Sequence, residues 1–268
     1  MATSWVALNR WLGVLCCWAM SAGLVQAEST QTQPWLEEPY SREALIGKIR
    51  PSKLSEFVLV EAPYTTRSSV YLRREAFQAF QAMHHAAAKQ GVRLEILSGF
   101  RSFWHQSSIW LAKWDGKRLV RGSDLSQTHP HPQDRAAEIL KYSAMPGTSR
   151  HHWGTEVDLN AFSNRYFEVA GSEGAKVYAW LQQNARSFGF CRVYSEVGPN
   201  RPKGYLQEKW HWSYQPIAYP MQQAYERSIH HQDLNGFPGS DQVEGLHVLE
   251  HYVQGVDPAC AQPMEPVQ

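Results

Sequence analysis

The sequence predicts a single α+β domain, and two observations carry that expectation. Segments of helical and of strand periodicity are intermixed without a repeating strand-helix-strand rhythm. The composition of the 268 residues, 43% hydrophobic and 19% charged, is that of an ordinary globular chain and excludes a fibrous, coiled-coil or wholly disordered protein. No internal repeat or low-complexity tract interrupts the pattern.

The elements follow in order. Residues 1–27 read as an export signal: Arg10 is the positive flank, Trp11 to Val25 an uncharged and mostly apolar run, and Val25-Gln26-Ala27 a small-x-Ala cleavage site. The run is shorter than the roughly 20 residues of a spanning helix, and no later stretch is apolar for long enough, so no membrane segment is expected after cleavage. Residues 28–40 are polar and without period, a flexible arm ahead of a domain at 41–260. A short helix starts with Ser41 as its N-cap. A longer one covers Leu72 to Lys89, where Ala76, Phe77, Phe80, Met83 and Ala87 recur at helical spacing before Gly91.

Val92 to Leu97 reads as a strand, which places Arg101 just past a strand end. The turn-rich stretch from Trp110 to Met145 reads as an elaboration containing a helix over Asp134 to Tyr142. Gly154 to Asn160 is a strand, Ser172 to Phe188 a helix, and Trp210 to Tyr214 a further strand. The end of the chain, 261–268, is expected to fray.

Charge and cysteine content narrow the function. Lys plus Arg number 26 against 25 acids, and removal of residues 1–27 leaves the remainder formally neutral, so no basic field points to nucleic acid. The same cleavage leaves two cysteines, Cys191 and Cys260. In an exported chain these form a natural disulfide pair, stabilising by roughly 4 kcal/mol on loop-closure entropy.

Three segments carry chemistry: Ser98-Gly-Phe-Arg-Ser102 with Gln106, Ser149-Arg-His-His-Trp-Gly-Thr-Glu-Val-Asp158, and Gly204-Tyr-Leu-Gln-Glu-Lys-Trp-His-Trp212. Catalytic zinc takes three protein ligands from His, Asp or Glu, keeps a fourth position for water, and works beside a carboxylate that removes a proton. His151, Asp158 and His211 supply such a ligand set and Glu208 the base. Gly154 lets the chain turn between His151 and the strand bearing Asp158. Within that strand Glu156 and Asp158 share a face, and Trp210 and Trp212 point away from His211. Glu208 lies at an odd offset from His211, so a bend at Glu208-Lys209 is required if both act on one ion. His152 faces away from an ion bound by His151, and the other histidines read as ordinary polar residues.

In that order the three segments resemble the signatures of the VanY-type D-alanyl-D-alanine carboxypeptidases, zinc D,D-peptidases that share their fold with VanX dipeptidases and the hedgehog signalling domain. The resemblance spans about Leu72 to Tyr214. It implies a small central antiparallel sheet flanked by helices, zinc at His151, Asp158 and His211, and Glu208 as the catalytic carboxylate. It further implies Arg101 as the group that holds substrate and developing negative charge, with Gln106 and Ser149 lining the substrate site.

The implied reaction is hydrolysis of a peptide bond next to D-alanine in peptidoglycan stem peptides, in the periplasm or another extracytoplasmic space. An endopeptidase acting on murein is the enzymatic alternative. A zinc-stabilised peptidoglycan-binding module without turnover is the other, and it leaves Glu208 without a purpose. The family often has Tyr at Phe100, Ala at Glu156, Pro at Lys209 and Arg at Ser213. Glu156 is therefore expected to add negative charge near the cleft and to bear on the choice of substrate.

Overall fold

A computed structural model describes residues 40–264, and the expected signal segment, most of the arm and the last four residues lie outside the described residues. Ser41 caps a single-turn helix, α1 (Arg42–Leu45), by accepting from the Ala44 N–H. A hairpin follows, β1 (Phe57–Val60) paired antiparallel with β2 (Val70–Arg73), and α2 (Arg74–Lys89) runs on from it. The expected helix thus starts two residues late. Val70 and Leu72 alternate into the core as strand residues, and pairing with β1 outweighs the helical spacing beyond them. The helix itself buries Ala76, Ala79, Phe80, Met83 and Ala87, close to the predicted stripe.

The central sheet has the order β3-β4-β6-β5, with β3 (Ile96–Ser98), β4 (Glu156–Leu159), β5 (Phe190–Arg192) and β6 (His211–Tyr214) all antiparallel to their neighbours. Helices α3 (Phe103–Trp114), α4 (Leu125–Thr128), α5 (Pro132–Leu140), α6 (Asn164–Glu168), α7 (Glu173–Asn184) and α8 (Gln215–Ser228) surround it. This is the α+β architecture with a small antiparallel sheet that the sequence predicts. The hairpin and β5 were not anticipated, because each of their strands spans only three or four residues. Nor were α3 and α8; α8 carries Pro216 in its first turn and Pro220 inside, which obscures its period.

Pairing across β4 and β6 sets the two faces of the sheet. Asp158 lies opposite His211, Glu156 opposite Ser213, and Val157 opposite Trp212. Because side chains alternate along a strand, Val157 and Trp212 join a hydrophobic cluster with α2 and α7 on one side. Glu156, Asp158, His211 and Ser213 face the other way, toward a second cluster built from α3, α5, α8 and the C-terminal segment. The active-site candidates therefore form a polar layer between two apolar clusters. Val243, Val248, Val253 and Val256 pack into the second of these, so the polar segment after Ser240 is integrated into the fold.

Cys191 on β5 is bonded to Cys260, with Cα atoms 5.7 Å apart, and the bond ties that segment to the sheet. Replacing both cysteines by alanine should cost roughly 2–4 kcal/mol in urea unfolding. Thiol labelling of unfolded, unreduced protein should find no free sulfhydryl at these two positions.

Candidate metal centre and cleft

His151 sits in a 3-10 turn (Arg150–Trp153) that ends at Gly154, whose φ of 72° is left-handed and whose added Cβ would stand 2.3 Å from the Phe57 ring. The sharp reversal delivers His151 and Asp158 to one place. Arg73 braces the turn, donating from Nε to the Trp153 carbonyl at 2.8 Å. On the neighbouring loop Gly99 packs so closely that a Cβ would meet the Tyr71 carbonyl at 2.5 Å. That approach brings the Gly99 carbonyl within 2.7 Å of His151 Nδ1, which donates to it.

With Nδ1 so engaged, His151 turns Nε2 toward Asp158 Oδ2, 3.3 Å away. His211 is held the opposite way round. Its Nε2 donates to Glu156 Oε2 at 2.8 Å, leaving Nδ1 3.2 Å from Asp158 Oδ1. One ligand atom from each of His151, Asp158 and His211 lies within 4.8 Å of the others, and all three side chains are buried.

The donor set fits a zinc ion. Each imidazole has its outer nitrogen tied to an acceptor, so the inner nitrogen presents a lone pair to the centre. Asp158 Oδ1 is buried with no hydrogen bond of proper geometry. The electrostatics agree. Burial pulls the pKa of His211 down, but contact with the Asp158 and Glu156 carboxylates outweighs it and pushes it up to about 10. Burial likewise opposes ionisation of Asp158, yet the two histidines hold it well below the usual carboxylate range. A centre that favours positive charge this strongly accepts a divalent cation in exchange for a proton.

Glu208 enters from a turn, not from the strand. The His211 N–H reaches back to the Glu208 carbonyl at 3.5 Å, which is the bend the odd offset required. Asn164 fixes that turn, accepting from the Lys209 N–H at 2.9 Å and donating to the Gln207 carbonyl at 2.8 Å. Glu208 Oε2 consequently stands 3.6 Å from His211 Nδ1, on the cleft side. Burial foremost, with the charge of Asp158 added and that of His211 opposed, pushes Glu208 up to about 7.

Arg101 faces the same cleft. It donates to Ser98 Oγ at 3.3 Å and to Gln106 Oε1 at 3.0 Å, and lies 3.6 Å from Asp158. Gln106 is fully buried; its Oε1 accepts from Arg101 and its Nε2 donates to the Ala144 carbonyl, so it braces the guanidinium. Ser149 does line the cleft, beside His151. His152 is buried behind Arg101, donating from Nδ1 to the Arg101 carbonyl at 2.6 Å and accepting from the Gly147 N–H at 3.1 Å.

Residues 69–217 match the model of the family described as VanY, D-alanyl-D-alanine carboxypeptidase, which is more than half of the chain. The chain belongs to the VanY family. A Bacillus subtilis (strain 168) protein, YodJ, is 30% identical over 175 residues, which cover 64% of this chain and 56% of that one. The D-alanyl-D-alanine carboxypeptidase of Enterococcus faecalis is 32% identical over 136 residues, 50% of this chain and 44% of that one. The chain thus spans about half the length of these two relatives. Among solved structures, VanYB in complex with D-alanine-D-alanine aligns at 25% identity and a TM-score of 0.43, over 63% of this chain and 88% of that one.

The structure corrects what was expected of Glu156. Glu156 does not charge the cleft. It is wholly buried behind His211, where Arg150 Nε lies 3.4 Å from Oε1 and Ser213 donates to that same oxygen at 2.6 Å. Arg150 also donates to Ser213 and to Gln222. Burial alone would raise Glu156, but the charge of Arg150 and the His211 and Ser213 hydrogen bonds bring it to about 2. Lys209 turns away to Glu168, 3.0 Å distant. Sequence reasoning passed over Arg150, although a guanidinium between two motif residues is a signal that a buried acid waits for it.

Proposed function

We propose that this protein is an exported, zinc-dependent D-alanyl-D-alanine carboxypeptidase acting on peptidoglycan stem peptides. One observation carries the reading. Three ligand atoms converge at the floor of a cleft of about 790 Å³, with Glu208 and Arg101 on its walls at 3.6 Å from ligand residues. A structural metal site has no use for either wall residue.

Zinc held by His151, Asp158 and His211 would supply an open position that polarises a carbonyl and acidifies a water. Glu208 takes the proton of the attacking water and returns it to the leaving amine. Arg101, held by Gln106 and Ser98, meets the negative charge of the peptide terminus or of the developing oxyanion. Burial of the histidines and Asp158 excludes bulk water from the ligand atoms and strengthens these interactions. Export is supported by the N-terminal segment and by the disulfide between Cys191 and Cys260.

The test is release of D-alanine from a peptide ending in D-Ala-D-Ala, with zinc content measured on the same sample. Zinc should be stoichiometric in the wild type and lost from His151→Ala, Asp158→Ala and His211→Ala. Retention in all three would remove the ligand assignment. The acid limb of kcat/KM should lie at or below about pH 7, because Glu208 must be unprotonated to act as the base and its value of about 7 is already raised. Activity rises with pH through that range. Arg101→Lys should lower kcat/KM with a substantial part of the defect in KM, since a point ammonium cannot reproduce the planar fork.

A further inference from the structure

One face of α3 lines the cleft: His105, Ile109 and Lys113 follow at four-residue spacing and all border the cavity. Lys113 is an expensive residue to keep there. It is 7% exposed, its ammonium donates to Ser143 Oγ, and no carboxylate reaches ion-pair distance of it among the described residues. Burial foremost, then the charge of Arg118, pulls its pKa down to about 8, with the charge of Glu208 across the cleft opposing them. Arg118 lines the same end of the cleft and is also without an acidic partner among the described residues, whereas Lys141 nearby is paired with Glu138. A buried cation with no carboxylate at ion-pair distance costs stability, and a second cation beside it raises the cost, which the more distant charge of Glu208 offsets only in part.

We propose that Lys113, Arg118 and Ser143 form an anion subsite that takes a second carboxylate of the substrate, away from the bond that is cut. The inference rests on the peptidase reading of the same cleft. Its place is set by α3: Gln106, which holds Arg101, and Lys113 are seven residues apart on that helix, two turns or about 10 Å of axial rise, so the subsite lies along α3 from Arg101. Extended peptide covers about 3.5 Å per residue. With the terminal carboxylate at Arg101, a residue two or three positions back reaches the subsite. Two parts of a stem peptide carry a carboxylate at that range: the side chain of the residue before D-Ala-D-Ala, and the free α-carboxylate of a γ-linked glutamate beyond it. A side chain ending only in an ammonium is repelled by the same pair of cations.

The experiment measures equilibrium binding of zinc-loaded Glu208→Gln protein to synthetic D-Ala-D-Ala peptides by calorimetry. One pair of peptides has an acid or an amide at the end of the side chain preceding D-Ala-D-Ala. A second pair has an acid or an amide at the γ-linked glutamate. In one pair the acid should bind about 10- to 100-fold more tightly than its amide, which also identifies the source, and the preference should shrink at high salt.

Lys113→Met should bring that ratio close to one while raising the melting temperature by a few degrees, because an apolar isostere relieves a buried charge. Arg118→Gln, at an exposed position, should lower the ratio in part without threatening the core. Equal affinity for acid and amide in both pairs, or no binding of any peptide, overturns the inference. So does a Lys113→Met protein that is less stable and keeps the preference, since Lys113 is then a structural lysine. Wild-type turnover is scored separately. A carboxylate preference without D-alanine release retains the subsite and rejects the peptidase reading.

Discussion

Glu208→Gln protein should hold zinc at wild-type occupancy and release D-alanine about 10²- to 10⁴-fold more slowly than the wild type. The amide keeps the volume and most of the hydrogen bonding of the carboxylate, and Glu208 is not one of the three convergent ligands, so the ion should stay. What it loses is the ability to accept a proton. The place of Glu208 makes this a clean substitution: its backbone N–H is bound to the Tyr194 carbonyl at 3.1 Å, and Asn164 holds the residues on either side, so the turn does not depend on the carboxylate. Loss of zinc from this variant would mean that Glu208 helps to bind it. Full activity of a zinc-loaded variant would remove it from the mechanism and return weight to a binding module.

The second large effect is expected behind the metal. Glu156→Ala leaves Arg150 buried without its carboxylate, and breaking a buried pair in this way costs about 3–5 kcal/mol. It also removes the acceptor that fixes His211 with Nε2 outward, and loss of such an outer partner lowers metal affinity by about 10- to 100-fold. The two consequences can be separated. A double variant, Glu156→Leu with Arg150→Met, removes both charges, so urea unfolding of the zinc-free protein should recover most of the stability. Chelator competition should still show weakened zinc binding, because the imidazole has lost its acceptor. If the double variant binds zinc as the wild type does, Glu156 serves the fold alone.

Much of the centre was legible from local patterns. His151, Asp158, His211 and Glu208 lie within three short segments whose residue types are those of a three-ligand site with a base. The glycine between His151 and Asp158, and the odd offset of Glu208, implied a reversal and a bend that both occur. The face shared by Glu156 and Asp158 follows from strand alternation, and the disulfide from the two cysteines that remain when residues 1–27 are read as an export signal. Periodicity over α2 and α7 was long enough to name them. It was not long enough for the hairpin or β5, whose strands form because long-range pairing stabilises segments with no distinctive local signal.

Local pattern could establish which residues share a face, but not what stands behind that face. Glu156 and Asp158 project to the same side of β4, yet one meets Arg150 from a turn and Gln222 reaches that arginine from α8, while the other meets the cleft. That Gln106 braces Arg101 could not be read locally, because only the packing of α3 brings its amide between Arg101 and the Ala144 carbonyl. Lys113 carried no signal in the sequence, where it falls in a stretch read as turn-rich and the helix that bears it was not expected. Its burial beside Arg118 with no acid at ion-pair distance depends on α3, the Ser143 loop and the cleft wall meeting in space. Ligand identity is a property of side-chain type and spacing. Charge compensation is a property of distance, and distances between segments far apart in the chain exist only once it has folded.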